Sequence, residues 1–193
     1  MEPGKFYHIY SHANGSENLF RSVENYRFFL KRYSHFTSSI ADTYAYCLMP
    51  NHLHFLIRIK EEKDLEETFG KFETFQKLEW RISKQFSNLF SSYTQAYNKV
   101  FQRKGSLFIP NFKYKAVSSD AYLRTVLQYI HSNPVHHDFV NSIHDWPWSS
   151  YHTFLSQKPT SLKRNEVLDW FGGTKAYNVS HSQTSPIKIE MEF

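Results

Sequence analysis

Two short stretches of this chain carry residue types that could do chemistry together. The first is His52-Leu53-His54, which follows Met49-Pro50-Asn51. Two histidines separated by one residue share a face if the segment is a strand, because strand side chains alternate. Side by side at one strand end, their imidazoles can hold one metal ion. The second stretch lies near Tyr129 and Asn133. Residues four apart share one face of a helix. The Asn133 carboxamide oxygen is a hard ligand suited to Mg²⁺ or Mn²⁺, and the Tyr129 phenol can act as a covalent nucleophile. A phenol is mostly protonated at neutral pH, so it needs a nearby cation or a proton acceptor. The same residues also admit a plain reading: surface histidines on a half-polar strand, a core tyrosine and an asparagine helix cap. Spacing alone leaves both readings open.

Each candidate needs an element to position it. His52 to Lys60 is rich in aromatic and branched residues and reads as a strand. His52, His54, Leu56 and Arg58 fall on one face; Leu53, Phe55, Ile57 and Ile59 form a uniformly apolar one. Ile40 to Leu48 reads as its antiparallel partner across a Pro-Asn turn. Lys5 to His12 alternates and reads as the first strand. The period of Val23, Tyr26, Phe29, Leu30 and Tyr33 predicts a helix behind Ser22, running to about Phe36. A long amphipathic helix is expected from Leu65 to Phe90. Gly70 is a possible break within it, and Tyr93 to Val100 a possible extension. Lys113 to Val117 reads as a short strand. A helix capped within Ser118-Ser119-Asp120 is expected to end at Asn133, because Pro134 follows. Asn165 to Phe171 predicts a short helix closed by Gly172-Gly173.

The order strand, helix, strand, strand, helix, strand, helix predicts an α+β fold of the ferredoxin-like, split βαβ type. The expected sheet is antiparallel with four to five strands and helices on one face. A further C-terminal helix carries Tyr129. The first and third strands should be central neighbours, with the histidine face left open. One domain over residues 1–172 is expected, with a flexible tail over 173–193.

Composition bounds the function. The chain has 193 residues, 40% hydrophobic and 18% aromatic, so a substantial core is affordable and disorder is excluded. Its net charge of +5 permits an anionic partner without requiring one. No apolar run reaches the length of a membrane span, and no signal-peptide core follows the N-terminus. The single cysteine, Cys47, cannot form an internal disulfide and reads as a small buried residue. A cytoplasmic location is expected.

The run Tyr44 to Ile57 (Tyr-x-Tyr-Cys-Leu-Met-Pro-Asn-His-Leu-His-Phe-Leu-Ile), with Gln128-Tyr129-Ile130-His131-Ser132-Asn133-Pro134-Val135 downstream, resembles the single-tyrosine HUH transposases of insertion-sequence type. More narrowly it is similar to the transposases associated with repetitive extragenic palindromes (REPs) of bacteria. Tyr7-His8-Ile9-Tyr10, Arg103-Lys104-Gly105-Ser106-Leu107-Phe108 and Trp146-Pro147-Trp148-Ser149-Ser150-Tyr151 fit the same pattern. The likeness covers about Lys5 to Phe171. One departure stands out: the family's opening loop carries Asn-Arg-Gly, where this chain has Ser11-His12-Ala13-Asn14-Gly15.

The resemblance implies a metal-dependent DNA strand transferase that nicks and rejoins single-stranded DNA through a 5′-phosphotyrosine. It implies His52, His54 and Asn133 as ligands of Mg²⁺ or Mn²⁺, and Tyr129 as nucleophile. The implied partner is single-stranded or hairpin DNA, the chain acting as monomer or homodimer and associating with the nucleoid when bound. Among basic and aromatic residues, Arg103, Lys104, Lys113, Lys115 and Arg124 are candidates for phosphates. Phe108, Phe112 and Tyr114 are candidates for stacking on bases. Two other readings compete. One is a catalytically silent or domesticated binder of DNA hairpins or palindromic repeats. The other is a metal-dependent phosphohydrolase using water, which the lack of a carboxylate beside the histidine pair disfavours.

Overall fold

A computed structural model describes residues 1–182 of the chain. The elements are β1 (Phe6–His12), α1 (Val23–Thr37), β2 (Ala41–Leu48), β3 (His52–Ile59), α2 (Glu62–Phe69), α3 (Phe75–Val100), β4 (Lys113–Val117) and α4 (Asp120–His136). Three short helices follow: α5 (Tyr151–Leu155), α6 (Arg164–Phe171) and α7 (Thr174–Ser182). The four strands form one antiparallel sheet in the order β2-β3-β1-β4. This is the expected ferredoxin-like arrangement, with β1 and β3 at the centre.

One face of the sheet is built as its alternation predicts. Tyr7, Ile9, Leu53, Phe55, Ile57 and Ile59 are buried against Tyr26, Phe29 and Tyr33 of α1 and Leu78, Ile82, Phe86 and Tyr93 of α3. Gly70 does end α2, at φ +78°, and α3 starts afresh behind Thr74, whose hydroxyl accepts from the Lys77 amide. The extension through Tyr93 to Val100 is also realised.

The histidine face is not open. α4 lies across β2 and β3 and closes it. Tyr44, Cys47 and Leu56 share that face, and with Leu123, Val126, Leu127 and Ile130 they form a second core that α5, α6 and α7 complete. The physical reason is that apolar residues sit on both sides of the sheet. Leaving Leu56 and its neighbours in water would cost about 25 cal/mol per Å² of apolar surface.

Two boundaries shift for identifiable reasons. α4 runs through Pro134 to His136. Proline removes its own N–H bond and crowds the carbonyl four residues back, but this one sits in the last turn, where the helix has little left to lose. The helix then closes through Asp138 at φ +56°, with the Phe139 amide on Pro134 O (2.9 Å) and the Asp138 amide on Val135 O (3.1 Å). The expected flexible tail from residue 173 is in its first part an ordered helix, α7. Tyr177 and His181 of α7 are buried against α4 and α5, a contact that no local sequence pattern announces. Residues 183–193, the rest of that tail, lie outside the described residues.

Candidate active site

β3 sets out the histidine pair. The hairpin tip is a two-residue turn, Pro50-Asn51, closed by the Met49 amide on His52 O at 2.8 Å. Its carbonyls are pinned from outside: Pro50 O accepts from Leu19 and Phe20, and Asn51 O accepts from Ala13. His52 therefore starts β3 at a fixed point, and His54 follows on the same face. Both are buried, at 1% and 0% exposure. Their rings meet edge to face with centroids 5.3 Å apart.

β1 supplies neighbours that local spacing did not flag. The register pairs Tyr10 with His54 and His12 with His52. The His12 ring stacks on His52 at 5.6 Å. His8, one step farther along, places Nε2 3.0 Å from His54 Nδ1. The signal was present in the alternation of His8, Tyr10 and His12, which period 2 places on the face of the histidine pair once β1 and β3 are neighbours.

α4 brings the other half. The Tyr129 ring lies 5.7 Å from that of His54 and 5.9 Å from that of His8. The Asn133 amide Nδ2 donates to Tyr129 O at 3.0 Å, which orients the carboxamide. Asn133 also comes within reach of the His52 ring and the Tyr129 phenol, shifting the proton affinity of both. The added half turn of α4 places His137 against His52, at 4.5 Å, and His136 6.1 Å from Tyr129. Tyr129, His52, His54 and Asn133 are thus gathered within a single chain.

The hydrogen bonds prepare these side chains as ligands. His52 Nδ1 is 2.7 Å from Asn51 Oδ1, which can only accept. Nδ1 therefore carries the proton and Nε2 a lone pair. His54 Nδ1 is engaged by His8, while His54 Nε2 and Asn133 Oδ1 are buried with no hydrogen-bond partner. An unsatisfied buried polar atom costs about 1–3 kcal/mol, so two at one place point to a ligand. Two imidazole nitrogens and an amide oxygen fit a divalent cation, with Asn51 and His8 orienting the rings from behind. Among the described residues, no group of three or more His, Cys, Asp and Glu side chains is arranged to bind a metal. The third donor here is an amide.

Burial shapes the charges. It pushes His8 down to about 3, helped by Lys115, and His52 to about 3, helped by His137 and His12. His54 falls well below the ordinary histidine value, again through burial first. Neutral rings keep their lone pairs at physiological pH. Burial raises the Tyr129 phenol above its ordinary value, partly opposed by Asn133. Without help this tyrosine stays protonated.

The candidate DNA contacts divide. Lys113 and Lys115 are exposed on β4, and their register partners, Tyr10 and His8, place them on the histidine face. Tyr114 is 48% exposed on the opposite face, and Lys104 is exposed in its loop. Arg124 is half-buried on α4. Two others are engaged within the fold. Arg103 binds Glu17 at 2.9 Å and Ser106 O at 2.8 Å, tying a loop together. Phe108 is only 6% exposed and packs on Phe90 at 4.8 Å; a loop aromatic beside α3 buries more surface in the core than in solvent. Phe112 is half-buried against Phe86 and Phe90. Arg58 serves the N-terminus, donating to Gly4 O at 3.1 Å and pairing with Glu61.

The fold is similar to that of a solved DNA-bound structure. A solved structure of a REP-associated tyrosine transposase bound to a REP hairpin superposes with a TM-score of 0.59 at 20% identity, covering 82% of this chain and 84% of that one. In sequence, a Haemophilus influenzae protein described as a REP-associated tyrosine transposase is 28% identical over 113 residues. That alignment spans 58% of this chain and 59% of the relative's length. No family model matches the chain. The resemblance carried by the motifs therefore holds both in sequence and in fold. No described helix is long and apolar enough to cross a membrane.

Proposed function

We propose that this protein is a DNA strand transferase of the REP-associated type. In this reading it nicks and rejoins single-stranded DNA beside a hairpin, through a 5′-phosphotyrosine on Tyr129. The observation that carries the reading is the meeting of a phenol, two lone-pair imidazoles and an orphaned amide oxygen in one buried cluster. His52, His54 and Asn133 would hold a divalent ion, Mg²⁺ or Mn²⁺, which when bound supplies charge neutralisation at a phosphate oxygen.

The chain's own groups do the rest. Tyr129 is held by α4 and by the packing of its ring against His54 and His8, so its oxygen needs little reorganisation to reach a bound phosphate. In the step, the Tyr129 oxygen bonds to phosphorus, the bond to the 3′-oxygen breaks, and that oxygen leaves as a 3′-hydroxyl after taking a proton. The phenolic proton needs an acceptor; His136, whose ring lies 6.1 Å from that of Tyr129 and whose proton affinity is lowered by burial and by His137, is the neighbouring imidazole that could receive it as the ring turns or through one water. A later 3′-hydroxyl attacks the phosphotyrosine, frees the phenol and rejoins DNA without an external energy source. Burial of the site limits competition from water. Lys113 and Lys115 stand where the DNA backbone would approach. An enzyme acting on chromosomal hairpins would work in the bacterial cytoplasm.

The test is covalent attachment. The protein with Mn²⁺ and a hairpin oligonucleotide bearing single-stranded flanks should give an adduct that survives denaturing electrophoresis. Tyr129→Phe should remove it. An adduct retained in that variant would overturn the assignment. DNA binding with no adduct under any divalent metal would favour the silent hairpin binder, and cleavage that survives Tyr129→Phe would favour the hydrolase.

A further inference from the structure

A second recess lies on the reverse side of β1. Lys113 pairs with Tyr10, and the Ile109 amide donates to His12 O at 3.0 Å. Between these two anchors the chain bows outward through Pro110, Asn111 and Phe112, with Asn111 in the left-handed region at φ +59°. Ser11 is the residue opposite the bow. The bow and α3 enclose a space of about 550 Å³ over it. That is well inside the range of small-ligand sites.

The lining is specific in kind. Ser87 and Gln95 face the space from α3, Asn111 and Phe112 from the bow, and Tyr114 from its end. No lysine or arginine takes part. Phe112 is fixed against Phe86 and Phe90, while Tyr114 remains half in solvent. Ser11 is 1% exposed, and its hydroxyl has no hydrogen-bond partner. A buried hydroxyl left unpaired at the floor of a polar cleft is an independent sign of a missing ligand.

We propose that this recess receives one unpaired nucleobase of a single-stranded DNA flank. Hydroxyls and carboxamides match the donor and acceptor edge of a base, aromatic rings match its face, and the absence of cations argues against a phosphate. The place is also apt. Tyr10 and His12 flank Ser11 in sequence and lie on the active-site face, so the recess and the candidate active site are built on the same strand, β1. The proposal rests on the strand-transfer reading and adds a base-holding site to it.

The probe is a DNA hairpin with single-stranded flanks carrying 5-iodouracil at successive positions. Photocrosslinking from one flank position should map to Phe112 or Tyr114. Ser87→Phe should reduce the preference for the flanked over the blunt hairpin about tenfold. Ser11→Ala should weaken flanked-hairpin binding severalfold while leaving the melting temperature unchanged or raised, because it removes an unsatisfied hydroxyl. A purely structural serine would not give that split, and Ser11→Ala decides the matter if Ser87→Phe does not fold. Crosslinks elsewhere, or wild-type binding in both variants, would overturn the recess while Tyr129 adducts still form. Absence of both DNA binding and adducts in the wild-type protein would overturn the recess and the strand-transfer reading together.

Discussion

His8 shows how a residue with no chemistry of its own can decide the site. Its Nε2 meets His54 Nδ1 at 3.0 Å, which fixes the ring whose Nε2 is the proposed ligand. Orienting partners of this kind typically govern about 10–100-fold in metal affinity. His8→Ala should therefore weaken Mn²⁺ binding by that order in an EPR titration of the free protein. An unchanged affinity would remove His8 from the site. Asn133 is held from one side: Nδ2 is spent on Tyr129 O, and Oδ1 is left over for a ligand. The two histidines and the tyrosine–asparagine pair were legible from spacing and motif. His136 could be named as a neighbour of the phosphate only beside an equal structural reading, and His8 and His137 were not singled out as working parts, because their places depend on strand register and on how far α4 continues past Pro134.

At the scale of elements, α4 matters most, since it carries Tyr129 and Asn133 on one side and a second polar cluster on the other. His131 Nε2 is 2.7 Å from Ser150 Oγ and its Nδ1 3.0 Å from His181 Nε2, while the Tyr177 hydroxyl lies 3.2 Å from His131 Nδ1. This cluster ties α4 to α7. Tyr177 is fully buried, so Tyr177→Ala should cost about 3–5 kcal/mol in urea unfolding, comparable with other large aromatic truncations. A loss below about 1 kcal/mol would mean that α7 contributes little. The cluster also makes a pH prediction. Burial pushes His181 down from 6.5 to about 4, while the unfolded chain titrates at the ordinary value. Between those values the unfolded state binds more protons. Stability is therefore full above about 6.5 and falls as the pH drops towards 4, by up to about 1.4 kcal/mol per pH unit for each such histidine. His181→Gln should flatten that slope in denaturation curves taken across the window.

At the scale of the whole molecule, the two sheet faces do different work. One is a conventional core of β1 and β3 against α1 and α3. The other is a core at one end and the histidine–tyrosine cluster of the candidate site at the other, with β4 as an exposed basic edge beside it. Tyr129 lies beside His52, His54 and Asn133 of its own chain, which predicts that the phenol serves the site of the chain that carries it. Mixing Tyr129→Phe with His54→Ala protein should leave covalent attachment absent. Recovery in the mixture would show that partners exchange α4 and would replace this assembly with a shared one.

The sequence by itself determined the order of the strands and main helices, the apolar face of β3 and the two motifs from which the candidate site is built, and it left the break at Gly70 open. These follow from local rules: side-chain alternation, helical period, and the backbone limits of glycine and proline. Tertiary structure alone decided that α4 covers the histidine face, that Phe108 and Arg103 turn inward, and that residues 174–182 fold back as a helix. Each of those outcomes depends on which distant surfaces remain to be buried once the sheet has formed, and no short-range pattern encodes that. The same holds for the pocket. His52, His54, Tyr129 and Asn133 could be named from the chain, but their meeting required β1 beside β3 and α4 laid across them.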